Sequence, residues 1–197
     1  MSSASEVTEH QQYLAFTLAG GDYAVGILKV KEILQYEGIT KVPSTPHSIR
    51  GVINLRGSVV PVVDLAVKFG LPEVAVTKRT CILVVETVFN GTPAVMGLMA
   101  DAVSEVIDLG AEDVEEPPSF GTCVKVDYLL GMGKVGKRFV LLLDIGRVLS
   151  ADERELAASL EGRDVAALET DERPVLGGAE TAAAPPGEAP AAEVQAT

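Results

Sequence analysis

Two stretches of this chain follow one pattern at a constant offset of 80 positions, and any fold must accommodate both. Ile49 to Leu65 reads IRGVINLRGSVVPVVDL, and Leu129 to Ile145 reads LLGMGKVGKRFVLLLDI. Gly51 falls on Gly131, and Asp64 falls on Asp144. In each copy a basic, glycine-containing stretch leads into an unbroken apolar run that an Asp closes. Upstream, Val30, Glu32 and Ile33 fall on Val103, Glu105 and Val106 at an offset of 73. Units this small gain stability by burying one face against each other, as repeats do. One difference stands out. Arg56–Gly57 of the first copy becomes Gly136–Lys137 in the second. A fold needs both halves, yet only one carries that arginine, which makes Arg56 a candidate functional residue.

Alternation and turn residues place most of the elements. Tyr13 to Leu18 and Tyr23 to Val25 read as strands around a Gly20–Gly21–Asp22 turn. Ile27, Val30, Ile33 and Leu34 sit at helical intervals, which predicts a helix of about two turns ending near Tyr36; a strand is the alternative for so short a run. Pro43 and Pro46 bracket a loop, and His47 to Arg50 reads as one helical turn. Gly51 to Leu55 and Ser58 to Val63 form a hairpin around Arg56–Gly57, with Pro61 at a sheet edge or bulge. Asp64 is placed to cap a short helix that runs to Phe69 and ends at Gly70. Cys81 to Thr87 and Ala94 to Met99 pair through Asn90–Gly91. A helix-like segment, Asp101 to Ile107, precedes a long loop to Lys125 containing Pro117 and Pro118. Tyr128 to Met132 and Arg138 to Leu143 are the last strands, and Ile145 to about Leu160 reads as a helix. About ten short strands in two sets make a mostly-β protein. After Glu161 Ala, Pro, Glu and Gly dominate, a composition that cannot bury enough apolar area to offset its ordering entropy.

The formal net charge is −12. Of 28 acids and 16 bases, 11 acids and 3 bases follow Ser150, so the body carries −4 and the remainder −8. A body without net positive charge has no electrostatic footprint for nucleic acid and disfavours anionic membrane. The polar start lacks a secretory apolar region, and no apolar run approaches the ~20 residues of a membrane helix. Cys81 reads as a core residue and Cys123 as a loop residue; both suit a reduced, cytoplasmic setting. Two histidines, His10 and His47, offer neither a metal site nor a triad. The cluster Glu112, Asp113, Glu115 and Glu116 lacks the alternation of a calcium loop. Asp64 and Asp144 are explained by helix capping rather than by acid–base work. No cofactor is expected. Arg56 remains, either as an exposed turn residue or as an interface residue whose five donors can stack or pair bidentately.

The order YLAFTLAGGDYAV, VKEIL, VPSTPHSIRGVINLRGSVVPVVDL, GLMADAVSEV and FVLLLD resembles the CheW family of chemotaxis coupling proteins, from about Tyr13 to Leu149. The resemblance implies two five-stranded SH3-like β-barrel subdomains sharing a core, with short helices and a C-terminal helix. It implies a non-catalytic adaptor between the chemoreceptor cytoplasmic tip and the regulatory domain of the histidine kinase CheA, in cytoplasmic arrays at the inner membrane face. A chemosensory output other than motility is the alternative. The implied organisation is a leader over 1–12, a domain over 13–150 with subdomains near 13–78 and 79–150 or with the N-terminal strand exchanged, a helix end over 151–160 and a disordered tail over 161–197. By motif, partner contact falls on Arg56, Asn54 and Gly57 of NLRG, on Val30, Glu32 and Ile33, on Gly51, and on Asp101, Val103 and Val106. The chain departs from the family's usual pattern at Gly26, Ala66, Met99 and Ala100.

Overall fold

Both repeats fold as a bulged β-hairpin that runs into a short capped helix. The computed structural model describes residues 10–43, 45–72, 75–117 and 124–160. The expectations for Pro118, Cys123, most of the leader and the tail from Glu161 lie outside them. The first hairpin pairs Ile49–Leu55 with Ser58–Asp64, and the second pairs Leu129–Val135 with Arg138–Leu143. The register slips at equivalent places, between Ile49 and Gly51 and between Leu129 and Gly131. The Asp that closes each hairpin caps the helix after it. Asp64 Oδ1 accepts from the Ala66 and Val67 N–H groups at 2.9 and 3.2 Å, and Asp144 Oδ1 accepts from Gly146 at 2.9 Å. Gly70 ends the first helix at φ 67°, as expected of a left-handed C-terminal residue.

In chain order the strands are β1 (Gln11–Leu18), β2 (Gly21–Gly26), β3 (Val30–Gln35), β4 (Ile49–Leu55), β5 (Ser58–Asp64), β6 (Cys81–Phe89), β7 (Thr92–Ala100), β8 (Ala102–Leu109), β9 (Val114–Glu115), β10 (Leu129–Val135) and β11 (Arg138–Leu143). The helices are α1 (Leu65–Phe69), α2 (Ile145–Val148) and α3 (Ala151–Leu160). One sheet runs β3-β6-β7-β5-β4 and the other β8-β1-β2-β11-β10-β9. The second is six-stranded because the two-residue β9 lies on β10, opposite Met132 and Gly133. In the first sheet the corresponding place is held by one bridge, Thr40 to Val52. The sheets do not part the chain near Lys78. β6 and β7 join the first, and the β1–β2 hairpin joins the second, through a parallel pairing of β2 with β11.

Two expected helices are strands. Ile27–Lys29 is a single 3-10 turn and Val30–Gln35 is β3; the segment expected as helical from Asp101 is β8. The misleading periodicity has a physical source. A β-bulge separates Val30 from Glu32 on β3, and β1's register on β8 slips between Leu14 and Phe16, leaving Ser104 and Glu105 between the paired Val103 and Val106. One extra residue turns the two-residue repeat of a strand into a three-residue spacing on one face, which mimics a helix. His47–Ser48 is a turn, closed by Ile49 N–H donating to the Pro46 carbonyl at 2.8 Å, and the strand begins at Ile49. The expected C-terminal helix is broken at Leu149–Ser150. Ser150 Oγ accepts from Glu153 N–H at 3.3 Å while Glu153 Oε2 accepts from Ser150 N–H at 2.7 Å, the reciprocal capping of a new helix.

Pro61 lies inside β5 opposite Val52. Val52 spends both its N–H and its carbonyl on Thr40, at 2.8 and 2.9 Å. The missing Pro61 donor therefore faces away from β4, and β7 meets β5 only from Val62 onward. The sheet loses no bond there.

The unbroken apolar runs arise because many strands are buried on both faces. Val62, Ile82 and Met99 fill the first barrel with Leu34, Tyr36, Ile39 and Ile53. Tyr13, Ala15, Ala24, Ile107, Leu109, Val140 and Leu142 fill the second. The alternate residues, among them Leu14, Phe16, Val25, Val63, Leu83, Met96, Leu98 and Leu143, form one larger core between the barrels. Cys81 belongs to that core. Phe16, Tyr23, Phe69 and Tyr128 form a ladder in it, with successive ring centroids 6.0 Å apart.

Candidate functional site

The β4–β5 hairpin turns on two residues, Arg56 at φ 53° and Gly57 at φ 92°. Positive φ at both central positions suits the twist of the strands, and Asn-Gly satisfies it best. The chain has that choice at Asn90–Gly91, φ 50° and 80°. At the other hairpin an arginine is held in a conformation that costs a β-carbon-bearing residue about 1–2 kcal/mol. Asn54 secures the turn by accepting from Gly57 N–H at 2.8 Å. The Arg56 side chain is 81% exposed, and its Nη2 donates to Glu32 Oε2 at 3.0 Å. β3 and β4 are the two outer strands of the five-stranded sheet, so this pair spans the opening of the barrel.

The second barrel has an equivalent pair, which the repeat alignment conceals. Arg138 Nη2 donates to Glu105 Oε1 at 3.0 Å, with Asp22 3.7 Å from Nη1. Both halves therefore carry an acid–arginine bridge, although only the first carries its arginine in the hairpin turn. The true asymmetry is place: Arg56 occupies the strained tip, whereas Arg138 opens a strand after Gly136, at φ 61°, and Lys137.

Val30, Ile33, Val103 and Val106 lie opposite Val85, Leu83, Phe16 and Leu14. All four partners belong to the core between the barrels. Directly opposed residues project to one face, so all four valine and isoleucine side chains stand on the faces that the sheets turn toward each other. They do so on β3 and β8, which are edge strands. Val30 and Val103 are half-buried against the core, while Ile33 and Val106 are 45% and 51% exposed. A groove of about 380 Å³ runs between the edges, lined by Ile33, Gln35, Thr80, Cys81, Ala102 and Val103. Burial pushes the Cys81 thiol up, and Asp101 adds to the effect, so the groove presents it as an uncharged group.

Two of the expected contact residues also hold backbone. Gly51 is buried at φ 148°, and a β-carbon there would stand 2.2 Å from the Thr40 carbonyl oxygen. Asp101 accepts from Ala19 N–H at 2.7 Å and its own N–H donates to Thr17, which fixes the β1–β2 turn.

One buried group escaped the sequence reading. Glu153 is fully buried, and its carboxylate receives Lys68 Nζ at 2.9 and 2.8 Å, the Ser48 hydroxyl and the Ser150 N–H. Burial alone would push this carboxyl up, but the Lys68, Ser48 and Ser150 donors and the Lys68 charge hold it below the usual range. The S-x-x-E spacing of Ser150 and Glu153 signals the helix cap but not the burial.

A larger cleft of about 860 Å³ borders Tyr13, Ile27, Glu86, Asp108 and Arg154, with Leu28 97% exposed at its rim. His10 Nδ1 lies 2.9 Å from Asp108 there, on the surface. Among the described residues no three His, Cys, Asp or Glu side chains gather to hold a metal ion, and no helix is long and apolar enough to cross a membrane.

A model of the CheW-like domain matches residues 12–153. The chain is similar to the chemotaxis protein CheW of Klebsiella aerogenes, at 38% identity over 79% of this chain and 92% of that protein. It is similar to the protein of the same name from Helicobacter pylori, at 32% identity over 77% and 88%. Among solved structures, the scaffolding protein TtCheW from Thermoanaerobacter tengcongensis superposes with a TM-score of 0.65 at 29% identity, over 78% of this chain and 96% of that one.

Proposed function

The chain belongs to the CheW-like family and serves as an adaptor in chemotaxis signalling, and from that premise we propose that it couples chemoreceptors to the histidine kinase CheA, with no catalytic step of its own. The observation that carries this reading is the row of Val30, Ile33, Val103 and Val106 along two facing edge strands, half of it open. A slot between the two barrels, with Ile33 and Val103 on its edges and Gln35, Lys78 and Thr80 beside them, suits an amphipathic receptor helix. The charged tip, Arg56 with Glu32, Asn54 and Gly57, stands at the barrel mouth and is assigned to the kinase's regulatory domain, since an exposed guanidinium can pair bidentately or stack. Gly51 and Asp101 serve both surfaces by holding their backbone. A protein that carries one surface for each partner belongs in the cytoplasm, at receptor arrays on the inner face of the membrane.

Two variants test the assignment against a receptor-tip fragment and the CheA regulatory domain. Ile33→Asp adds a charge at a half-exposed position; it should weaken the receptor fragment about tenfold and leave the kinase domain unchanged. Arg56→Ala should do the reverse. If each variant weakens both partners equally, the division of surfaces is wrong.

A further inference from the structure

Glu153 grips the base of the hairpin whose tip is Arg56. Ser48, which donates to its carboxylate, immediately precedes β4, and Lys68 projects from α1, immediately after β5. The Ser48 carbonyl in turn accepts from Asp64 N–H at 2.8 Å, closing the base between the two strands. From that anchor α3 runs along the hairpin. Leu160 is buried with Val52 of β4 and Val59 of β5, and Leu156 packs on the same pair. Ala157, one turn beyond Glu153, lines a groove of about 580 Å³ together with Lys31, Glu32, Arg56 and Val95.

The choice of side chains says what this anchor is for. A buried Lys–Glu pair contributes little net stability over apolar residues of similar volume. It differs in being directional, because one carboxylate that receives three separate groups admits one placement of its helix. We propose that Glu153 is a positioning residue for the Arg56 site: by fixing α3 to both roots of the β4–β5 hairpin, it sets Leu156 and Leu160 against the strands and holds the Arg56 tip, and the groove beside it, in the form a partner reads. The inference rests on the reading of Arg56 as a contact for the kinase.

The repeat supplies an internal control. In the two hairpins Ile53 corresponds to Gly133 and Leu55 to Val135, and each pairs with its opposite strand. α3 packs on β5, β6 and β7 of the first sheet. The full-length Glu153→Gln variant would be compared with the parent for affinity to the CheA regulatory domain and for amide hydrogen exchange at these four positions. The expected result is about tenfold weaker binding, with exchange accelerated more at Ile53 and Leu55 than at Gly133 and Val135. Unchanged affinity overturns the proposal, and so does equal acceleration of all four amides, which would mean general destabilisation. Should Glu153→Gln not fold, Leu160→Ala, which leaves the ion pair intact, carries the same two readouts and the same criteria. Arg56→Ala is measured alongside. If it does not weaken the kinase domain, the contact assignment fails and the proposal with it; if it does while both α3 variants bind normally, only the positioning role fails.

Discussion

Arg56 and Glu32 meet 3.0 Å apart across the open side of a five-stranded barrel, one from the tip of β4–β5 and the other from an edge strand. Arg138 and Glu105 repeat the contact in the second barrel at the same distance. The bridge is solvent-facing, and exposed pairs of this kind contribute about 0–1 kcal/mol. It therefore does not hold the barrel shut by itself. It orients an arginine.

Replacing Arg56 with Asn separates fold from contact. Asn accepts the left-handed conformation more readily, a gain of the same order as the loss of the exposed bridge. Arg56→Asn should keep the melting temperature within ~4 °C of the parent, while affinity for the CheA regulatory domain falls about tenfold or more. Titration calorimetry beside a thermal melt decides it. A lower melting temperature with intact binding would assign Arg56 to the fold.

Gly51→Ala should act in the opposite manner. The new methyl would meet the Thr40 carbonyl, which also accepts a bond from Val52. Residues around Thr40 must move, and the positive φ adds strain, so a loss of about 2–3 kcal/mol is expected. Urea unfolding should show it, with no selective loss of one partner in the folded fraction.

Val103 and Val106 share a face but differ in burial. Val103→Asp should destabilise the protein by several kcal/mol, since it places an unpaired charge against the core. Val106→Asp, half-exposed, should melt within a few degrees of the parent and still weaken the receptor fragment. Equal melting of the two variants would contradict the register given for β8.

The Lys68–Glu153 pair makes stability depend on acid. Glu153 titrates below its unfolded value, so its contribution is complete above the ordinary carboxylate pKa of ~4.3 and is lost as pH falls through the lower folded value. Glu153→Gln leaves Lys68 without a counter-charge, at a cost of about 3 kcal/mol near neutrality. That gap between parent and variant should be constant above pH ~6 and close below pH ~4. A gap that persists unchanged at low pH would show that Glu153 is not charged in the fold.

Much of the fold was legible where local rules and tertiary packing agree. The hairpin at Arg56–Gly57, the caps at Asp64 and Asp144 and the break at Gly70 follow from turn and capping chemistry within a few residues. β3 and β8 were not legible as strands, because their bulges lie between Val30 and Glu32 and after Val103, and the resulting spacing imitates a helix. The break at Ser150 was present in the sequence as S-x-x-E but was masked by the apolar spacing from Ile145 to Leu160. At the site, Arg56 announced itself as an arginine in a turn where the second repeat has none. Its counterpart Arg138 was hidden, since it stands two places beyond the aligned position. Glu153 was unreadable as a buried group, because its partners, Ser48 and Lys68, lie far away in the chain.

The parallel pairing of β2 with β11 joins residues 24 and 142. Emerging from a ribosome, the opening hairpin therefore has no strand to pair with until β8 is made, and none on its β2 side until nearly the whole domain is out, whereas β3 to β7 can close around their own contacts first. Assembly should run from the middle outward, with the first-synthesised segment docking among the last. Until then its apolar face, Leu14, Phe16 and Tyr23, is a target for chaperones or for the same hairpin of a neighbouring chain.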